Sequence, residues 1–308
     1  MIVSVSRRTD IPAFYSEWFF RRLKEGFVYV RNPINNNLIS KVSLLPKDVD
    51  CFVFWSKNPK LFQHRLDELN SYKYYFQFSI NSYDTDLEPY VPRKKEIIKT
   101  FINLSKKIGK EKVIWRYDPI LFSKKYTNDY HLKYFESIAK LISPFTEKCI
   151  ISFVDIYKKC ERNLQNTDVR ELSINEITGI SSKLKIISDS YNLKLETCAE
   201  DINLDSLGLV HGKCIDNILI EKILGKKVRI CKDKNQRKSC GCVESVDIGS
   251  YNTCRHGCIY CYANINPKIV NENFKVHSVN SPILFGEIRD KDEIKERESK
   301  TIIETSLF

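Results

Sequence analysis

No stretch of this chain approaches the roughly 18 consecutive apolar residues that a membrane-crossing helix requires. The opening, Met1-Ile2-Val3-Ser4-Val5-Ser6-Arg7-Arg8, holds too short an apolar run for a secretory signal. Together these absences predict a cytoplasmic protein with no membrane partner. A second C-x2-C pair is also missing, which weighs against a zinc site built from two such units. A reducing compartment disfavours disulfides, so the eleven cysteines ask for another explanation, and metal is the expected one.

What the chain does have is length, positive charge and an uneven distribution of thiols. Its 308 residues can bury a large core, and one globular domain with a cysteine-rich extension is expected. The net charge of +11 suits an anionic partner, such as nucleic acid or a phosphorylated substrate. Much of that excess is lysine on amphipathic stretches (Lys94-Lys95-Glu96, Lys106-Lys107), where solvated helix faces are the simpler reading. The run Lys232-Asp233-Lys234-Asn235-Gln236-Arg237-Lys238 lies instead between cysteines.

Cys51, Cys149 and Cys160 are scattered and read as core thiols, whereas the other eight fall between Cys198 and Cys261. Within that group Cys254-Arg255-His256-Gly257-Cys258-Ile259-Tyr260-Cys261 places three thiols in C-x3-C-x2-C spacing on one short loop. Three such thiolates can hold three irons of a [4Fe–4S] cluster and leave the fourth open. Zinc is the alternative, with His256 or a distant cysteine as fourth ligand. Cys198, Cys214, Cys240 and Cys242 fit a second metal site, a closed Fe–S cluster or a tetrahedral zinc, with Cys231 as a substitute ligand. That site could relay electrons, bind substrate, or clip the extension to the main domain.

Short β-rich apolar runs alternate with helical patterns, the mark of a parallel α/β fold. Strands are predicted at Ile2–Ser6, Cys51–Trp55, Tyr74–Ile80, Val113–Tyr117, Cys149–Val154 and Leu193–Cys198. Helices are predicted near Glu17–Glu25, Lys60–Leu69, Lys94–Lys107, Asp129–Leu141 and Ile174–Ser190, the last capped by Ser173 with Glu176 three residues on. Trp18, Phe19, Phe20 and Leu23 form a core stripe. Six strand–helix units suggest a partial TIM-type (β/α)6 barrel over residues 1–200, a cysteine-rich segment over 201–265 that completes it, and a charged tail over 266–308. The tail segment Arg289–Glu298 reads as a surface helix. Polar clusters end five strands: Ser6–Asp10, Trp55–Pro59, Ser79–Asn81, Arg116–Pro119 and Asp155. Loops at that edge of a barrel converge on a shared site. Arg7, Arg8 and Lys57 there either face an anionic substrate or pair with Asp10, Asp118 or Asp155.

Ser6-Arg7-Arg8-Thr9-Asp10-Ile11-Pro12, Trp55-Ser56-Lys57-Asn58-Pro59 and the run Lys232 through Asn264 resemble the DUF1848 family over most of residues 1–265. The cysteine-rich C-terminus of that family is similar to the cluster motif of radical S-adenosylmethionine (SAM) proteins. A weaker likeness is to spore photoproduct lyase-like enzymes, through Thr9-Asp10, Ser56-Lys57-Asn58, Ser79-Ile80-Asn81 with Glu88-Pro89 and Pro92, and Asp118-Pro119-Ile120. The order agrees and only the cluster segment is displaced. This implies a circular permutation, in which a strand at Val243–Ile248 comes late in sequence but sits beside Ile2–Ser6 in space. By this resemblance Cys254, Cys258 and Cys261 hold the cluster. Thr9 and Asp10 lie near the methionine end of SAM, Ser79, Asn81, Arg116 and Asp118 near its ribose or carboxylate, and Tyr260 beside the cofactor. A one-electron donor such as a ferredoxin or flavodoxin is then the expected partner. The rival expectation is a non-enzymatic zinc or iron–sulfur protein that binds nucleic acid.

Overall fold

The computed structural model describes residues 1–156 and 158–304, so the last four residues of the expected tail lie outside it. In chain order the strands are β1 (Ile2–Val5), β2 (Phe27–Arg31), β3 (Leu38–Ser43), β4 (Cys51–Ser56), β5 (Tyr74–Ser79), β6 (Val113–Ile120), β7 (Lys148–Phe153), β8 (Lys194–Thr197), β9 (Val210–His211), β10 (Val246–Asp247) and β11 (Glu293–Glu296). The α-helices are α1 (Ile11–Phe14), α2 (Ser16–Glu25), α3 (Lys94–Ile108), α4 (Asn128–Ile142), α5 (Lys158–Leu164), α6 (Ile174–Ser190), α7 (Asn217–Leu224) and α8 (Pro267–Lys275).

Eight strands form one sheet in the order β10-β1-β4-β5-β6-β7-β8-β9, every neighbouring pair parallel. The expected α/β class and six strand positions are therefore present. Among the described residues no strand pairing joins β10 to β9, so the sheet is open. The late strand β10 pairs with β1, Val3 opposite Val246 and Ser4 opposite Asp247, which brings residues some 240 positions apart side by side.

Both sheet faces are buried, which is why the strands read as continuous apolar runs. Side chains alternate between the faces. Val3, Val5, Phe52, Phe54, Phe76, Phe78, Trp115 and Ile151 join the main core, which includes α2, α3, α4 and α6. Ile2, Cys51, Val53, Tyr75, Ile114 and Ile150 face the other way, against Ile215, Ile220, Cys240, Cys242 and Val243. The cysteine-rich segment is thus the cover of the inner face. Trp18, Phe19, Phe20 and Leu23 are buried as expected, as are Cys51, Cys149 and Cys160. α6 begins at Ser173 with the reciprocal Ser173–Glu176 capping box in place.

Three features differ from the sequence reading. A second sheet, β11-β3-β2, flanks the main one, and β2 and β3 were not anticipated. The tail segment expected as a helix instead contributes β11, parallel to β3. Its charges are spent across the strands, in Lys41–Glu296 at 2.7 Å and a fork from Arg31 to Asp292 at 2.7 Å per bond. The expected helix at Lys60–Leu69 is a 3₁₀ segment, Phe62–Leu69, broken at Arg65. No described helix is long and apolar enough to cross a membrane.

Candidate active site at the strand ends

The C-terminal ends of β1, β4, β5, β6 and β7 open on a cavity of 870 Å³, within the range of ligand pockets (about 300–1,000 Å³). Its lining includes Ser6 through Asp10, Trp55, Ser56, Lys57, Ser79, Arg116, Asp118, Pro119 and Asp155. The five polar clusters expected at strand ends therefore converge. Seven cysteines reach the same cavity: Cys254, Cys258 and Cys261, and Cys198, Cys214, Cys240 and Cys242. Asn81 is not among its lining residues, and Cys231 is exposed outside it.

The loop that follows β10 is held from three directions. From β1's end, Asp10 caps α1 by accepting from the Ala13 N–H at 2.9 Å. Its other oxygen takes the Lys57 N–H at 2.8 Å and lies 2.7 Å from His256 Nε2. Thus Asp10 orients the loop's histidine and two strand ends at once. From β10 itself, Asp247 accepts from Ser4 Oγ (3.0 Å), Ser6 Oγ (2.6 Å), the Arg7 N–H (2.8 Å) and the Gly249 N–H (3.0 Å). From the connection after β5, Ile259 donates to Leu87 O at 3.1 Å and Tyr90 donates to His256 O at 3.2 Å. Gly257 has φ +68° and lies under Tyr90, whose ring a Cβ would meet at 2.7 Å.

Beneath the loop is a buried charge network. Glu88 accepts from Lys57 Nζ at 2.7 Å, from Lys94 Nζ at 2.5 Å and from the Tyr260 hydroxyl at 2.5 Å. Burial alone would raise the Glu88 pKa, but the two ammonium groups outweigh it and hold it down to about 2. Asn81 donates to Tyr260 OH at 3.2 Å and to Asp118 O at 2.7 Å, so it supports Tyr260 from below the cavity.

The cations expected to meet an anion or an acidic neighbour do have acidic neighbours, but none of their ion pairs is with the expected Asp10, Asp118 or Asp155. Arg7 lies 3.6 Å from Asp233 and 4.0 Å from Asp247, Arg8 lies 4.0 Å from Asp247, and Lys57 pairs with Glu88. Arg116 forks onto Asp118 and donates to Cys214 Sγ at 2.5 Å, so it serves the second cysteine group. Glu88, Lys94 and Asp247 were not singled out from sequence. Glu88 left a trace there as the Glu-Pro step of a long connection, and Lys94, read as part of a solvated helix face, instead pairs with buried Glu88.

The loop's donor set suits a thiolate-bound metal. His256 N–H bonds to Cys254 Sγ, and Ala263 and Asn264 N–H groups bond to Cys261 Sγ, interactions that favour charged sulfur. Burial nevertheless pushes all three thiols up, Cys258 to about 12 against the pull of Lys57. A bound cation would offset that desolvation and displace the protons. Thr9 Oγ1, Asn81 Oδ1, His256 Nδ1 and Asn264 Oδ1 are buried without partners, half of the eight such atoms among the described residues. Of these, Thr9 and His256 line the cavity, where an unpaired buried polar atom points to a missing group. Among the described residues no group of three or more His, Cys, Asp or Glu side chains could hold a metal ion as it stands.

The model of the family described as "Domain of unknown function (DUF1848)" matches residues 2–263. No curated protein matches the chain. A solved structure, described as a proposed alpha-L-fucosidase from Bacteroides thetaiotaomicron, is 12% identical and covers 75% of this chain and 82% of that one, with a TM-score of 0.27. That likeness is too slight to transfer fold or activity.

Proposed function

The chain belongs to the DUF1848 family, and we propose that it is a radical SAM enzyme built on a circularly permuted partial (β/α)6 barrel. The observation that carries this reading is the position of the C-x3-C-x2-C loop. It follows a strand paired to β1, and its three thiols share a cavity with the polar ends of β1, β4, β5, β6 and β7. A [4Fe–4S] cluster held by Cys254, Cys258 and Cys261 would leave one iron open to the amino and carboxylate groups of SAM and supply an electron for its cleavage.

The chain's own residues then orient and enclose. Asp10 and His256 lock the loop to the end of β1, and the Glu88–Lys57–Tyr260 network holds it from beneath. Thr9 and Ser79 remain the strand-end groups for SAM, with Asp118 shared between SAM and Arg116. Arg7 and Arg8 line the cavity and would meet an anionic substrate there, although both already lie near Asp247. A cytoplasmic one-electron donor such as a ferredoxin or flavodoxin completes the cycle.

The test is anaerobic reconstitution with iron and sulfide, reduction with dithionite, addition of SAM, and assay of 5′-deoxyadenosine. Product in wild type that vanishes in Cys258→Ala is the expected result. A fully loaded cluster that yields none refutes the reading.

One observation favours a second reading. His256 has Nε2 on Asp10 and a buried, unpartnered Nδ1, the carboxylate–histidine arrangement that orients a zinc ligand. A Cys3His zinc at the loop would suit a nucleic-acid-binding protein. It predicts zinc in freshly isolated anaerobic protein and salt-dependent binding to DNA or RNA.

A further inference from the structure

We propose that Cys198, Cys214, Cys240 and Cys242 form a tetrathiolate site for a single zinc-type divalent ion that ties the cysteine-rich segment to the inner face of the sheet. The inference does not depend on what the Cys254–Cys261 loop binds.

Three separate segments supply the thiols. Cys198 stands one residue past β8, and Cys214 follows β9. Cys240 and Cys242 lie beside a short antiparallel pairing in which Asp233 N–H bonds to Cys242 O and Glu244 N–H bonds to Cys231 O. Two glycines allow the approach. A Cβ on Gly212 would come within 2.7 Å of the Glu196 carboxylate, and one on Gly241 would meet Lys213 at 3.1 Å.

The sulfurs are packed as a set. Cys198 Sγ lies 2.9 Å from Cys214 Sγ, and Cys242 Sγ is within hydrogen-bonding reach of both Cys214 and Cys240. A tetrahedral ion with Zn–S bonds of about 2.3 Å needs sulfurs about 3.8 Å apart. The Cys198–Cys214 separation is shorter than that, so these sulfurs would move apart to take an ion. A four-iron cluster binds each thiolate to a different iron and needs them spread much further. That difference favours an ion over a cluster.

The surroundings suit anionic sulfur. Arg116 donates to Cys214 Sγ at 2.5 Å, and the Ile215 N–H donates to Cys242 Sγ at 3.4 Å. Four thiolates on a divalent ion carry a net charge of two negatives, which Arg116 partly offsets. The backbone is braced too, with Tyr75 OH and Gln77 Nε2 each donating to Cys214 O at 2.7 Å. All four residues belong to or border the inner-face core. The ion would therefore cross-link that cover to the sheet and release thiol protons as it binds.

The experiment measures zinc, iron and sulfide per chain in full-length protein isolated anaerobically. It compares wild type with the loop variant Cys254→Ala/Cys258→Ala/Cys261→Ala and the pair variant Cys214→Ser/Cys242→Ser. The loop variant is expected to keep one zinc, and the pair variant to lose it. Iron and sulfide retained by the loop variant overturn the assignment, as does a Cys198–Cys214 disulfide or a metal-free set of thiols. Should the pair variant fail to fold, zinc-edge X-ray absorption on the loop variant decides. Four sulfurs at about 2.3 Å support the site, and nitrogen or oxygen among the ligands refutes it. Absence of deoxyadenosine formation in cluster-loaded wild type that still holds its zinc would count against the radical reading only.

Discussion

Glu88→Gln isolates the charge that holds the cysteine loop from beneath. The substitution keeps the shape of the side chain but leaves Lys57 and Lys94 facing a neutral amide in a buried place. A carboxylate whose pKa falls from 4.5 to about 2 on folding contributes about 3 kcal/mol at neutral pH. Removing one member of a buried pair costs a similar amount, about 3–5 kcal/mol. The sign follows from the depressed pKa: the contribution is full above pH 4.5 and drains away as pH falls toward 2. Linkage puts it at about 2 kcal/mol by pH 3.5. Urea unfolding of wild type and variant, followed by tryptophan fluorescence between pH 7 and pH 3.5, reads the difference directly. A variant within about 0.5 kcal/mol of wild type at pH 7, or a deficit that does not shrink on acidification, would refute the reasoning. Because Tyr260 loses its carboxylate acceptor in the same change, metal retention by the loop should fall as well.

Glu200 works in the opposite direction, since burial pushes its pKa up to about 7 while the Phe153 N–H partly restrains it. The folded state must then ionise a reluctant carboxyl as pH rises from 4.5 to 7, so Glu200→Gln should stabilise the protein by about 3 kcal/mol at pH 8 and hardly at all at pH 4. Equal effects at both pH values in denaturant titrations would contradict this. Gly257→Ala places a Cβ 2.7 Å from the Tyr90 ring at a φ of +68°. It should cost about 1–3 kcal/mol, read as a lower Tm, and Tyr90→Ala in the same chain should recover only the steric part.

The main sheet was legible because its strands are buried on both faces, and Cys51–Trp55 therefore presents an unbroken apolar run and Tyr74–Phe78 one interrupted only by Gln77. The smaller sheet was not. All four residues of β11 are exposed, and the strand is held by backbone bonds to β3 and by ion pairs such as Lys41–Glu296. A charge-dense stretch of that kind looks the same on a solvated helix. At the site, residue type and strand-end position brought Thr9, Asp10, Lys57, Ser79, Arg116 and Asp118 to one cavity. Their partners were hidden because partnership is tertiary. Nothing near Arg116 in sequence announces Cys214, and nothing near His256 announces Asp10. The four cysteines from Cys198 to Cys242 could be grouped by count, but their order in space depended on how the segment folds back over the sheet.

The displacement of the cysteine loop to the far end of the chain is energetically modest. Its ties to the segment that follows the first strand span very long separations: Tyr15 OH to Thr253 O across 238 residues, Ser6 to Asp247 across 241, His256 to Asp10 across 246, and Tyr262 OH to Arg7 O across 255. Loop-closure entropy grows only with the logarithm of length, so closing roughly 240 residues rather than about 20 costs about 2 kcal/mol more. The four hydrogen bonds, at about 1 kcal/mol each, offset that, before any burial of Val246 and Ile248 is counted. A loop encoded late can therefore sit beside β1 almost as readily as one encoded just after it. Sequence position is then a weak objection to the proposed cluster site, and the weight falls on the local chemistry of three closely spaced thiols at the edge of a polar cavity.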